Sequence, residues 1–100
     1  MNHDIIRSFR TQIDQIDKSI IELLKKRMEL AYKIGLEKGK NGQVVTVPER
    51  EKEILESLNN VSSPYMSSED FKTLFSHIIL FGRKAGEKGA QAVTKEGEKI

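Results

Sequence analysis

Between residues 5 and 40 the chain holds no proline and only two glycines, Gly35 and Gly39. Apolar residues recur there at Phe9, Ile13, Ile16, Ile20, Leu23, Leu30 and Ile34, the three- and four-residue spacing of a helical face. One long helix is predicted over 5–40. At roughly 1.5 Å per residue it spans about 50 Å, whereas a compact 100-residue domain has a radius of gyration near 13 Å. Such a helix overhangs its own fold, so its apolar stripe needs cover from a second subunit, which points to an intertwined dimer. Stepping by alternating threes and fours from Arg10, the stripe reads Arg10, Ile13, Asp17, Ile20, Leu24, Arg27, Ala31, Ile34, Lys38. Three cations thus share the seam that faces a partner helix, where an unpaired charge is costly. One such cation would more often snorkel to water; three on one seam point to an anionic ligand.

Asn41-Gly42 breaks the pattern, and 43–47 reads as a short extended link. Thr46 and Glu49 have capping-box spacing and Pro48 suits a first turn, so a second helix is expected from there to residue 58 or 60, with Ile54, Leu55 and Leu58 inward. Residues 59–68, with Pro64 and four serines, form a turn ending at a Ser67 or Ser68 cap. A third helix follows, its apolar face carrying Phe71, Leu74, Phe75, Ile78 and Ile79. Arg83 and Lys84 before Gly86 resemble a helix stop. The expected organisation is an all-α domain over 1–86, with one long and two shorter helices per subunit, and a flexible tail over 87–100.

Composition narrows the chemistry. The 17 basic and 15 acidic residues nearly cancel, which gives no reason to expect nucleic acid or an anionic membrane as partner. The absence of cysteine removes disulfide and thiol chemistry, and His3 and His77 stand far apart, so no metal site is expected. No apolar run approaches the roughly 18 residues of a membrane span. The start Met1-Asn2-His3-Asp4 has no signal-peptide pattern, and a cytoplasmic location is expected.

No nucleophile–base constellation or phosphate loop is visible. What remains is a set of basic groups: Arg10, Arg27 and Lys38 on the first helix, then Arg50 with Glu51 in the first turn of the second. Arg27 and Lys38 lie three turns apart on nearly the same face, about 16 Å along the axis, and their flexible arms can close on one small dianion. Arg10 stands about 25 Å from Arg27, too far to serve the same ligand within one chain, but within reach of a partner's site in a crossing dimer. Arginine forks match carboxylates, so the expected ligand is a small polycarboxylate or a phosphate. Taken alone, Arg50 and Glu51 would be ordinary solvated residues, Asp14 and Asp17 surface acids, and His77 a satisfied helix histidine.

In order, the motifs Arg10-x-x-Ile13-Asp14-x-Ile16-Asp17, Leu23-Leu24-x-x-Arg27-x-x-Leu30-Ala31, Ile34-Gly35-x-x-Lys38 and Val47-Pro48-Glu49-Arg50-Glu51 resemble the all-helical class of chorismate mutases over about residues 5–81. The resemblance implies three helices per subunit in an intertwined homodimer and the rearrangement of chorismate to prephenate with no cofactor. It further implies that Arg27 and Arg50 hold the substrate carboxylates, with Arg10 arriving from the other subunit. Lys38 would donate to the ether oxygen, and Glu51 would accept from the ring hydroxyl.

Three positions depart from that pattern. The family commonly has Asp at the place of Val47, a polar residue at that of Gly82, and Gln or Glu at that of Gly86 as a second donor to the ether oxygen. Lys84 or Glu87 would replace that donor only if the third helix ran differently. Alternatives are therefore a mutase for 4-amino-4-deoxychorismate, an isochorismate-pyruvate lyase, whose family shares the fold, and a non-catalytic helical dimer that binds a partner enzyme or an aromatic-pathway ligand.

Overall fold

The structure is a computed structural model and describes residues 2–98. Helix α1 (Asn2–Lys40) contains the whole predicted span, α2 is Pro48–Glu56 and α3 is Ser68–Glu98. No strand occurs among the described residues; an isolated Ser63–Met66 bridge closes the α2–α3 turn. The fold is all-α with three helices, as the periodicity predicts.

Each boundary has a local cause. Gly42 adopts φ 66°, a left-handed conformation that glycine enters without a Cβ penalty. The Gly42 amide then donates to the Gly39 carbonyl at 3.3 Å and the Gln43 amide to the Lys38 carbonyl at 2.8 Å, the paired bonds that close a helix C-terminus. The cap of α2 differs from expectation. Val47 occupies it in an extended conformation with no side-chain hydrogen bond, so the Thr46–Glu49 box does not form and the helix start relies on Pro48. At α3 the Ser67 amide donates to Asp70 Oδ2 at 2.9 Å and the Asp70 amide to Ser67 Oγ at 3.1 Å. The Ser67 amide first, and the Ser67 hydroxyl beside it, hold the Asp70 carboxyl below its ordinary value.

The stop expected at Gly86 does not occur. Helix α3 runs through that glycine to Glu98, so residues 87–98 are helical; Lys99 and Ile100 lie outside the described residues. Gly86 serves close packing instead of a turn. A Cβ built on Gly35 would fall on the Gly86 carbonyl, one on Gly89 would fall on the Tyr32 carbonyl, and one on Gly39 would lie 3.0 Å from Ala90 Cα. Small residues on α1 and α3 thus bring the two backbones into direct contact, with Gly35, Gly86 and Gly89 all buried.

Elsewhere little is covered. Among the described residues only Leu58 and Ile79 form a buried apolar core, with Ile54, Leu55, Phe71, Phe75 and Ile78 half-buried and Leu74 left exposed. The molecule measures 67 × 30 × 13 Å with a radius of gyration of 18.4 Å, well above the roughly 13 Å of a compact chain this size. Ile5, Ile6, Phe9, Ile13, Ile16 and Ile20 are all about half exposed along the overhanging end of α1.

Because Gly89, Ala90 and Val93 pack on α1, deleting 89–100 is expected to lower unfolding free energy by about 2 kcal/mol, the scale of burying a side chain or two. Urea denaturation at fixed protein concentration measures it; an unchanged midpoint would show that α3 ends functionally at Gly86.

Candidate active site

Where α1, α2 and the link between them face the middle of α3, they enclose a cavity of ≈ 290 Å³. Leu30, Ile34, Ile54 and Ile79 provide apolar wall, while Arg27, Lys38, Arg50, Glu51 and Arg83 bring charge. Four cations therefore face one carboxylate across a small, partly apolar space. Low-dielectric walls strengthen such a field, and the site favours a small anion.

Arg27 extends from α1 toward α3. Its Nη1 lies 3.0 Å from the point a Cβ on Gly82 would occupy, so the missing side chain at 82 gives the guanidinium its room. Lys38 sits in the last turn of α1, where the helix dipole favours a cation. Its Nζ donates to the Val45 carbonyl at 3.2 Å. That bond uses one of three ammonium protons and fixes the group at the cavity wall with two still available. The helix-closing bond from Gln43 to the Lys38 carbonyl places Val45 there, so the α1 terminus and the Lys38 position are one device.

Arg50 lines the cavity from the first turn of α2 and its Nη1 pairs with Glu53 Oε2 at 3.2 Å, both side chains about two-thirds exposed. A surface pair of that kind is worth little, so a carboxylate ligand displaces Glu53 at small cost. Glu51 is held from across the cavity: Arg83 Nη2 donates to Oε1 at 2.7 Å and Arg83 Nε to Oε2 at 3.2 Å. Hydrogen bonding and charge attraction from Glu51 push the Arg83 guanidinium above even its ordinary high value.

The structure thus gathers Arg27, Lys38, Arg50 and Glu51 and leaves Arg10 out. Arg10 is exposed near the far end of α1, 17 residues and about 25 Å from Arg27. Sequence reasoning missed Arg83, taken as a helix-end cation. Its signal was register: Ile79, Gly82, Arg83 and Gly86 follow the three-four spacing of one face. The proposed substitutes for a side chain at 86 do not reach the cavity. Lys84 lies 5.6 Å from the Phe81 ring centroid on another face, and Glu87 is exposed and outside the lining. Val45 fills the space instead, its Cγ1 standing 2.8 Å from where a Cβ on Gly86 would be. His77 Nδ1 lies 3.0 Å from the Thr73 carbonyl one turn back, the satisfied helix histidine expected. Among the described residues, no cluster of His, Cys, Asp or Glu fits a metal ion, and no helix is long and apolar enough to cross a membrane.

The family described as Chorismate mutase type II matches residues 9–85. A bifunctional chorismate mutase/prephenate dehydratase of Buchnera aphidicola is 38% identical over 73 residues, covering 73% of this chain and 19% of that protein. A protein with the same description from Aquifex aeolicus is 43% identical over 53 residues, covering 53% of this chain and 15% of its own length. The chain therefore spans less than a fifth of the curated relatives it matches. A chorismate mutase from Helicobacter pylori, solved in complex with prephenate, superimposes with a TM-score of 0.76 at 28% identity, covering 88% of this chain and 96% of that one.

Proposed function

Because the chain belongs to the type II chorismate mutase family, we propose that it catalyses the rearrangement of chorismate to prephenate, a step of aromatic amino-acid biosynthesis, in a site completed by a second copy of itself. The observation that carries this reading is the single cavity holding Arg27, Lys38, Arg50 and Glu51, the residues the sequence motifs select. A pericyclic rearrangement breaks the ether C–O bond as a C–C bond forms. It needs no nucleophile or cofactor, only a folded reactive conformer and stabilisation of the charge that grows on the ether oxygen.

The residues divide those tasks. Arg27 and Arg50 offer forked donors to the two substrate carboxylates and hold the enolpyruvyl arm over the ring. Lys38, fixed by Val45, donates to the ether oxygen from a position set before substrate arrives, so little reorganisation is needed at the transition state. Glu51 accepts from the ring hydroxyl. Val45 covers the position where relatives place a second ether donor, which leaves Lys38 as the principal one.

The exposed apolar row from Ile5 to Ile20 supports the dimer. Patches of that size on a monomer are uncommon, and a second long helix laid against this one covers them while carrying Arg10 toward the partner's cavity. The Helicobacter pylori relative, matched over nearly its whole length and solved with prephenate, supports a small dicarboxylate as ligand.

Incubation of the purified chain with chorismate tests the reading. Loss of chorismate, with phenylpyruvate appearing after acid treatment, is the expected result. Salicylate from isochorismate in place of that conversion would assign the lyase, and an intact dimer inert toward chorismate, isochorismate and the amino analogue would assign a binding module.

A further inference from the structure

Arg83 has no part in the division of tasks above, yet it makes a two-point contact between α3 and α2 at the cavity wall, where its side chain is 36% and that of Glu51 25% exposed. Resting on that functional reading, we propose that Arg83 is a positioning residue for Glu51, and that the pair makes this end of the cavity select a neutral ring hydroxyl over a ring ammonium.

Geometry gives the first half. The arginine fork contacts both oxygens of Glu51 and so fixes the plane of the carboxylate. A carboxylate offers about four lone-pair directions and the fork takes two, leaving two, enough to accept from a ring hydroxyl. Without Arg83, Glu51 would be the lone anion among Arg27, Lys38 and Arg50, free to swing toward any of them.

Charge gives the second half. Glu51 and Arg83 together are neutral, and neither Val47 nor Gly82, which complete this part of the lining, brings a charge. The exposed Glu87 acts on Arg83 from outside the lining, so an ammonium placed here meets no net negative charge from the cavity wall and stands near cations, which disfavours it. A hydroxyl donating one hydrogen bond to Glu51 meets no such opposition. The apolar residue at 47, which at first sight opens the ring pocket to other substituents, is thereby balanced by a cation from α3.

The test compares kcat/KM for chorismate and for 4-amino-4-deoxychorismate, whose ring amine is cationic at neutral pH, using the full chain and its Arg83→Met and Arg83→Lys variants. Arg83→Met is expected to lower the chorismate value about tenfold, the scale of losing hydrogen bonds to a charged group, and to shift the chorismate-to-amine ratio at least about tenfold toward the amine. Arg83→Lys is expected to keep the ratio, because the charge remains, while losing part of the chorismate rate with the fork. In a Glu51→Gln background, adding Arg83→Met is expected to leave the chorismate value unchanged, since its positioning effect acts through the carboxylate, while the ratio still moves toward the amine because a cation is removed. Should Arg83→Met fail to fold, Arg83→Gln supplies the same comparison. A folded variant with the wild-type ratio overturns the role of Arg83 alone, whereas wild-type protein that converts neither substrate overturns the functional reading and this role with it.

Discussion

Lys38→Ala is expected to lower kcat by about 10²–10³ while leaving the helical content and the oligomeric state unchanged, as loss of one preorganised donor to a developing oxyanion does in other sites. The size of the effect follows from how Lys38 is held. It stands in the last turn of α1, its ammonium is bonded to the Val45 carbonyl, and Val45 also covers the place of a second donor above Gly86. With no alternative donor at 86, nothing compensates when the ammonium is removed. KM should change less than kcat, because the carboxylate-binding role proposed for Arg27 and Arg50 does not depend on Lys38. Steady-state kinetics read both parameters. A fall in kcat/KM carried wholly by KM would mean that Lys38 binds substrate and does not act on the breaking bond.

Gly35→Ala is expected to be the most damaging single-methyl change in the chain, lowering unfolding free energy by about 3 kcal/mol, toward the upper end of overpacking penalties. The added Cβ would fall on the Gly86 carbonyl. The obstacle is backbone on both sides, so no rotamer change relieves it and α1 and α3 must separate. Separation also loosens the wall of the cavity that Ile34, Ile79 and Gly86 share. Gly82→Ala is the matched control: its Cβ would approach only the mobile end of Arg27, at 3.0 Å, and should cost less than about 1 kcal/mol. Urea denaturation at equal protein concentration compares them. Equal midpoints for the two variants would refute direct backbone contact between the helices.

These two residues also show what could be read from the sequence and what could not. Lys38 was legible because it lies on a helical stripe with Arg27, and stripe membership needs only periodicity, which the chain displays over 5–40 without interruption. The pairing of Arg50 with Glu51 was informative only beside Val47-Pro48, as part of an ordered series of motifs. Gly86 was misread because one glycine serves two physical purposes: behind two cations it resembles a C-terminal cap, and opposite Gly35 it permits contact between backbones. The second purpose is visible in the four-residue spacing of Ala31, Gly35 and Gly39, matched by Gly82, Gly86 and Ala90. Recognising it requires knowing that α3 lies along α1, a tertiary fact. The same misreading hid Arg83. The Thr46 cap failed for a simpler reason: the link adopts an extended conformation at Val47, one residue later than the box requires.

Cations from two chains converging on one dicarboxylate are the centre of the account, and subunit hybrids test it most directly. Arg10→Ala and Lys38→Ala homodimers should each be nearly inactive. Mixed in equal amounts and allowed to exchange chains, they should regain about a quarter of wild-type activity, because half the dimers are then hybrids in which one of two sites has every native residue. Activity that stays at the level of the separate variants after exchange has been verified would show that Arg10 serves the cavity of its own chain or none, and would contradict the shared site.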